Sequence, residues 1–518
     1  MRKYSKGLLL MGALLSSSTA QADELLLTKP WWLFEGEHFE VATNLPQRGS
    51  DFVLQLERFR AVVLAFTGLA AVPDRLPTRA IIFADSAELA RITGSPTILG
   101  YTSTTLRNNR MVSSGGRIDV PRRHVMFHEY VHYLLRSADT ENNPSWYEEG
   151  FAEMLSTVFV EREQEQEWVR IGAPPRPNVR LMERYDRPLP ITRFLHKDHP
   201  LDIRSQSVGI YYAASWALVH YIHADERRRL RLDEYLGRLR AGEERATAFR
   251  EAFGTSGRRM MERATKAVRR GVNYIHSYPL EQFPVRGALR QRRLSVNEVA
   301  RELAYLSVFT NTEFSRRVAE SRLALEPDDP TFLTALAVTY QADQAYPRGA
   351  ELARRAAAIG RRRGSSDVVL EIDLGDLLMI WNRDACAPHA DEAPRAAKDV
   401  RGVAASAPED CRKRNLEARS AYRRALMLEP HNPEAHSGMA WALLRLDEDL
   451  DAASGHIARA LDHQPWSPVL HYRAGVIAKR RGQLKRAAEH LEKARYWSDD
   501  QDLGRDVAVA LEGLAAAD

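Results

Sequence analysis

His128-Glu129-Tyr130-Val131-His132 is the stretch on which the reading of this 518-residue chain turns. Two imidazoles four residues apart share one face of a helix, so both can reach a single cation while Glu129 stands beside it. A third ligand has to come from elsewhere, because Leu135 and Ala138 occupy the places where a glycine and another histidine would extend the motif. Seventeen residues past His132 lies Glu149, inside Trp146-Tyr147-Glu148-Glu149-Gly150-Phe151-Ala152-Glu153.

This second stretch carries its own start signal. Pro144 breaks the preceding structure, Ser145 is a good N-cap and Glu148 three residues on completes a capping box, which predicts a helix from about Trp146 to Val158. Glu148 is then engaged by its own backbone, whereas Glu149 and Glu153 lie one turn apart and can face the histidine helix. Two imidazoles and the Glu149 carboxylate fill three corners of a zinc tetrahedron and leave the fourth to water, the open arrangement that catalysis requires. Glu153 is placed to accept the free ring N–H of a ligand histidine. His124, one turn before His128, reads as a surface or supporting residue, and His223 and His276 carry no spacing signal.

The HExxH helix followed by a WxxEGxAE helix resembles the gluzincin branch of zinc metallopeptidases, most closely its small exported MA-like domains. The resemblance covers about 250 residues. It implies an α+β zincin-like domain binding one Zn2+ through His128, His132 and Glu149, with Glu129 as the general base for water attack on a peptide bond. Glu153 matches a supporting carboxylate that thermolysin-like enzymes supply with Asp. The apolar stretch Tyr211 to Tyr221 resembles the helix that carries the transition-state tyrosine in aminopeptidase N-like enzymes, which assigns that role to Tyr212, with Tyr211 and His220 as alternatives. No GxMEN motif is visible, so an endopeptidase is expected rather than an aminopeptidase.

Length and composition set the frame. At 518 residues two or three domains are expected, and 44% hydrophobic with 28% charged residues is the balance of an ordinary globular protein, not of a disordered or membrane-embedded one. Residues 1–22 read as a cleavable signal. Arg2, Lys3 and Lys6 precede a short apolar run from Gly7 to Leu15, too short to span a bilayer, and Ala20-Gln21-Ala22 ends a small polar segment. Export, with a periplasmic location, follows. Removal of three cations takes the formal charge from +5 to +2, which gives no reason to expect nucleic acid as a partner. In an oxidising compartment Cys386 and Cys411 are expected to pair and tether the proline-rich stretch between them.

Before the motif, His38 to Ala42 and Arg79 to Phe83 read as strands, with Phe52 to Phe66 as an amphipathic helix between them. Ser113 to Val120 reads as a hairpin or edge strand running into the histidine helix, and an edge there could take an extended peptide by strand addition. Gly254 stops a helix, one more basic helix runs to about Val272, and Pro279, Pro284 and Gly287 punctuate a linker. The expected organisation is therefore a signal at 1–22, a metallopeptidase domain at 23–275, a linker at 276–295 and a helical domain at 296–518.

Within that last part, Leu325-Glu326-Pro327-Asp328-Asp329-Pro330 recurs as Leu428-Glu429-Pro430-His431-Asn432-Pro433, about three periods of 34 residues later. Counted from Pro468, Ala474, Gly475, Ala487, Leu491 and Ala494 fall on the small and apolar consensus positions of a tetratricopeptide repeat; counted from Pro330, Leu336, Ala337, Tyr340, Ala353 and Ala356 do the same, with Gly349 in place of an alanine. The segment resembles an all-α tetratricopeptide-repeat solenoid of about five repeats, with 364–410 degenerate enough to be an insertion. Such concave surfaces bind peptides or proteins. Two classes of function compete: an exported zinc peptidase whose repeats hold a protein substrate or partner, and an inactive peptidase-fold scaffold acting through its repeats.

Overall fold

In Thr78-Arg79-Ala80-Ile81-Ile82-Phe83 successive apolar side chains fall on opposite faces of an extended chain, so a strand here needs cover on both sides. The computed structural model, which describes residues 21–68, 78–115, 120–137, 143–184, 194–195, 205–271, 274–285, 287–365, 367–386, 406–498 and 500–515, shows what supplies it. A helix over 21–28 (α1) leads into β1 (Trp32–Glu35), β2 (Phe39–Thr43), α2 (Pro46–Thr67), β3 (Thr78–Phe83), α3 (Ser86–Thr93), β4 (Gly100–Thr104), β5 (Asn109–Ser114) and α4 (Val120–Ser137). There follow α5 (Ser145–Leu155), β6 (Phe159–Glu163), β7 (Gln166–Ile171), α6 (Arg176–Arg184), α7 (Ser205–His223), α8 (Glu226–Arg240), α9 (Arg245–Phe253), α10 (Gly257–Arg269), β8 (His276–Pro279) and β9 (Arg290–Arg293). Residues 1–20 of the expected signal lie outside the described residues.

A mixed six-stranded sheet has the order β4-β5-β3-β2-β1-β9, with β2, β3 and β5 parallel and the other pairings antiparallel. One face, with Phe39, Val41, Ala80, Ile82 and Met111, packs on Phe59 of α2 and on Phe127, Tyr130 and Val131 of α4. The other face, with Leu33, Ala42, Ile81, Phe83 and Val112, packs on α3 and on the first helices of the C-terminal half, through Leu303, Phe314 and Phe332. The repeats thus share a core with the sheet.

Two expectations change here. The segment 276–295 is no free tether: β8 pairs with β7 in a second, three-stranded sheet, and β9 pairs with β1 as the outer strand of the first. The strand before the histidine helix is also not an edge. β5 is hydrogen-bonded on both sides, and the outer strand is its hairpin partner β4, whose sequence Gly100-Tyr101-Thr102-Ser103-Thr104 lacks an apolar alternation to announce it. Residues 116–119 of that expectation lie outside the described residues.

From residue 296 the chain is a series of antiparallel helical hairpins: α11 (Val296–Ser307) with α12 (Thr312–Leu325), α13 (Pro330–Ala342) with α14 (Tyr346–Arg362), α15 (Val368–Ala385) with α16 (Pro408–Leu428), α17 (Pro433–Leu446) with α18 (Leu450–His463) and α19 (Pro468–Arg480) with α20 (Leu484–Trp497). A last helix, α21 (Gln501–Ala515), packs on α20. Asp329, Asn432 and Ser467 cap α13, α17 and α19 just ahead of their N1 prolines, which is why these three repeats restart at a proline; α11 and α15 begin instead at Val296 and Val368, capped by Ser295 and Asp367. Of the expected insertion at 364–410, Val368–Ala385 and the start of the helix over Pro408–Leu428 form a hairpin of the series, while 366 and 387–405 lie outside the described residues. Cys386 and Cys411, Cα atoms 6.2 Å apart, form a disulfide between the end of α15 and the start of α16.

The close crossing of α5 and α7 positions the site. A Cβ on Gly150 would stand 2.2 Å from the carbonyl oxygen of Ser215, so only glycine lets the helix that bears Glu149 lie against α7. Gly150→Ala is expected to lower stability by about 3 kcal/mol and to weaken metal uptake, read from a denaturant midpoint and metal titration. In the solenoid, His436 donates through Nε2 to Pro430 O (3.0 Å), so its Nδ1 accepts from His456 Nδ1 at 2.7 Å and both rings are neutral. Burial, with His436 and Arg459, lowers His456 to about 4. The unfolded chain takes that proton near pH 6.5, so this contribution is complete above about 6.5 and is lost as pH falls toward 4. His456→Gln should flatten that part of the stability–pH curve relative to wild type.

Candidate metal centre

The helix over Val120–Ser137 sets His128 and His132 side by side, and α5 brings Glu149 across from them. His128 Nε2 lies 3.2 Å from Glu149 Oε2, His132 Nε2 3.3 Å from the same oxygen, and the two Nε2 atoms 3.1 Å from each other. All three residues are buried. Donors held about 2.0–2.1 Å from one zinc at tetrahedral angles stand about 3.3–3.4 Å apart, so the three atoms present the triangular face that zinc requires. Hydrogen bonding to Glu149 leaves one contact unaccounted for: if both Nε2 atoms donate to its Oε2, neither has a lone pair left to accept from the other at 3.1 Å.

Charge supports the same grouping. Burial alone would depress His128, but Glu149 and Glu153 push it up to about 10. Burial alone would raise Glu149, yet His132 and His128 hold it well below the usual carboxylate range. Glu153 lies 3.3 Å from His128 Nδ1 through Oε1, while its Oε2 meets His124 Nε2 at 3.1 Å and Asn178 Nδ2 at 2.7 Å. It therefore sits behind the triangle, where its contact with Nδ1 leaves Nε2 of His128 facing Glu149 and His132. His124, held also by Ser156 Oγ at 2.8 Å, belongs to this support. Asn178 does too, and its setting in Pro174-Pro175-Arg176-Pro177-Asn178 carried no spacing by which sequence could find it.

The reason given by sequence for preferring Glu149 over Glu148 does not hold in the structure. No capping box forms: α5 begins at Ser145 with Pro144 as N-cap, ends at Leu155, and Ser145 Oγ is 2.6 Å from the hydroxyl of Tyr211. The hydroxyl partner on α7 competes successfully with the backbone N–H. Glu148 is buried on another side of α5, where burial pushes its carboxyl up to about 7 against the pull of Arg136. Glu149 is selected by helical phase, not by capping.

The tyrosine alternatives are separated by their partners. Tyr211 is tied to Ser145, and His220 Nε2 lies 3.0 Å from both Gly172 O and Tyr274 O. Tyr212 has its ring 6.0 Å from that of His128 and no hydrogen-bond partner among the described residues. Burial, with the charges of Glu149, Glu129 and Glu153, raises its hydroxyl above the ordinary phenol range, so it keeps its proton.

Glu129 and His132 open onto a cleft of about 670 Å³. Thr102 of β4 stands at its near wall, with Oγ1 3.4 Å from Glu129 Oε2. The far wall is made by α15, α17 and α19, the first helices of successive hairpins and hence the inner face of the solenoid. Arg107, at the tip of the β4–β5 hairpin, fixes this arrangement by pairing with Asp373 (2.5 Å) and Glu434, and Tyr133 of α4 meets Trp466 edge-on at 6.1 Å. Sequence reading did not bring the repeats to the site, because nothing local links residues 300 positions apart.

No protein-family model matches the chain, and no curated protein does. Solved structures similar to part of it include TTC0263, a thermophilic TPR protein of Thermus thermophilus (18% identity, 42% of this chain and 98% of that one, TM-score 0.32). YrrB, described as a TPR protein with an unusual peptide-binding site, is similar at 18% identity over 42% of this chain and 90% of its own, TM-score 0.28. PilF of Pseudomonas aeruginosa is similar at 16% identity over 42% and 87%, TM-score 0.30. At these scores the repeat architecture rests on the helix pairing described above.

Proposed function

We propose that the chain is an exported, zinc-dependent metallopeptidase that cleaves peptide bonds within protein substrates, its N-terminal half zincin-like and its repeats holding the substrate. The observation that carries this reading is the buried triangle of His128 Nε2, His132 Nε2 and Glu149 Oε2 with 3.1–3.3 Å edges, opening beside Glu129 into a cleft. When bound, zinc would supply the positive centre that polarises a carbonyl and acidifies water. A module holding a structural metal would need no Glu129, which is not among the three converging ligands.

Glu129 is the group placed to take a proton from the attacking water and return it to the leaving amine. Tyr212, protonated and unpartnered, can donate its O–H to the oxygen of the scissile carbonyl as negative charge gathers there. Glu153, with His124 and Asn178 behind it, holds His128 in orientation. β4, as the outer strand of the sheet, offers backbone groups along which an extended peptide can lie. The charge and apolar pattern of residues 1–22 supports export, most simply to a periplasm, and the Cys386–Cys411 disulfide fits an oxidising compartment. Among the described residues no helix is long and apolar enough to cross a membrane.

Purified protein is expected to hold one zinc per chain and to cleave casein. Glu129→Gln should keep the zinc and lose about 10²- to 10⁴-fold in rate. Absence of zinc from the wild type, or equal cleavage by the Gln variant, would leave the scaffold reading, in which the peptidase fold serves only to carry the repeats. Tyr212→Phe should lower kcat by about 10²-fold with KM little changed, measured on an internally quenched peptide.

A further inference from the structure

The inner face of a helical-repeat solenoid is the surface on which such domains take their ligands. Here that face is turned onto the cleft that also contains Glu129 and His132, so it is not free to bind a separate partner at a distance from the site. Asp376 of α15, Ser437 and Trp441 of α17 and Arg473 of α19 stand together on it.

Their charges do not cancel. Glu434 is paired with Arg107, whereas Asp376 accepts from the neutral hydroxyl of Tyr422 at 2.6 Å and acts on Arg473 through its charge, without an ion pair to it. On the cationic side, Arg383 is paired with Asp384 at 3.0 Å. Arg473 is different. Its Nη1 donates to Ser437 Oγ at 2.6 Å and its guanidinium lies 5.4 Å from the ring centre of Trp441, but among the described residues it has no ion pair. Ser437 and Trp441 hold the fork in place while leaving most of its five N–H donors unused. Burial lowers its pKa by more than Tyr422 and Asp376 raise it.

We propose that the repeat wall is the selecting half of the substrate cleft, and that Arg473 receives a carboxylate of the bound peptide. Either an acidic side chain or the chain's own C-terminal carboxylate supplies that chemistry. The inference rests on the peptidase reading for its cleavage arm alone. It makes Arg473 a specificity-determining residue, remote from the bond that is cut, and it gives the solenoid a substrate instead of a second protein.

The test uses full-length protein and internally quenched peptides of one sequence, with Glu or Gln at successive positions and with free or amidated C-termini. Wild type is expected to prefer the carboxylate at one place by about 10- to 100-fold in kcat/KM, the worth of one charge-assisted pair, carried mainly by KM. A preference for Glu at one internal position identifies the side chain; a preference for the free terminus identifies the chain end. Arg473→Gln should abolish the preference while keeping cleavage of the neutral peptide, and Arg473→Glu should reverse it toward a lysine at that place. No preference in wild type, or an undiminished one in Arg473→Gln, overturns the proposal. Binding of the same fluorescently labelled peptides to the Glu129→Gln protein, by anisotropy, keeps the two readings apart. If wild type cleaves nothing but the Arg473-dependent carboxylate preference persists in binding, the peptidase reading fails and this one stands. A folded Arg473→Gln variant with unchanged anisotropy titrations overturns it whatever the catalytic result.

Discussion

Glu302 of α11 reaches across to the sheet and is held between Arg110 of β5 at 2.6 Å and Arg79 of β3 at 2.9 Å. Burial would raise its carboxyl, but the two guanidinium groups hold it below the usual carboxylate range. A carboxylate buried against two arginines tolerates little displacement, because removing any one partner leaves a charge uncompensated. This contact fixes the first repeat helix against two central strands. The direction in which the solenoid grows starts there, and later hairpins meet the N-terminal half again through Asp373, Glu434 and Trp466. Asp23, bound to Arg317 at 2.8 Å, and Arg107, bound to Asp373 at 2.5 Å, fasten the same two halves near the start of the chain and at the rim of the cleft. The inner face of the repeats arrives opposite Glu129 as a result.

The grouping of His128, His132 and Glu149 was legible in sequence because its geometry is local. His128 and His132 are joined by one turn of helix, and Glu149 and Glu153 by another, so helical phase alone brings each pair to a common face. The choice of Glu149 was legible and its stated cause was not: the capping pattern at Ser145 was present, but a hydroxyl on α7 took the serine, a tertiary partner that no local rule includes. His124 and Asn178 show the same limit. One lies in phase with His128 and could be suspected; the other comes from a proline-rich turn and is recruited only by folding.

The fold divides in a similar way. The strands at 39–43 and 78–83, the helix after the first of them and the proline-marked repeats follow from periodicity and capping. The outer strand β4 and the polar strand β9, Arg290-Gln291-Arg292-Arg293, do not. An edge strand with solvent on one side needs neither an apolar run nor a clean alternation, and its pairing is set by the neighbour it meets. Both ends of what looked like a linker were therefore sheet, at 276–279 and 290–293. The tether at 387–405, between the bonded Cys386 and Cys411, lies outside the described residues.

The face of the sheet that carries Leu33, Ile81, Phe83 and Val112 is covered by Leu303, Phe314 and Phe332 from the first hairpins of the solenoid. A chain cut at residue 295 would present to water the part of that face that α1 and α3 leave uncovered, and would take from Arg110 its carboxylate partner Glu302. The half that carries His128, His132 and Glu149 is consequently not a module to which repeats were appended, but one side of a joint core. Separation of the solenoid from the sheet would require opening that core, so the width of the cleft beside Glu129 and His132 is set by the same packing that holds the two halves together.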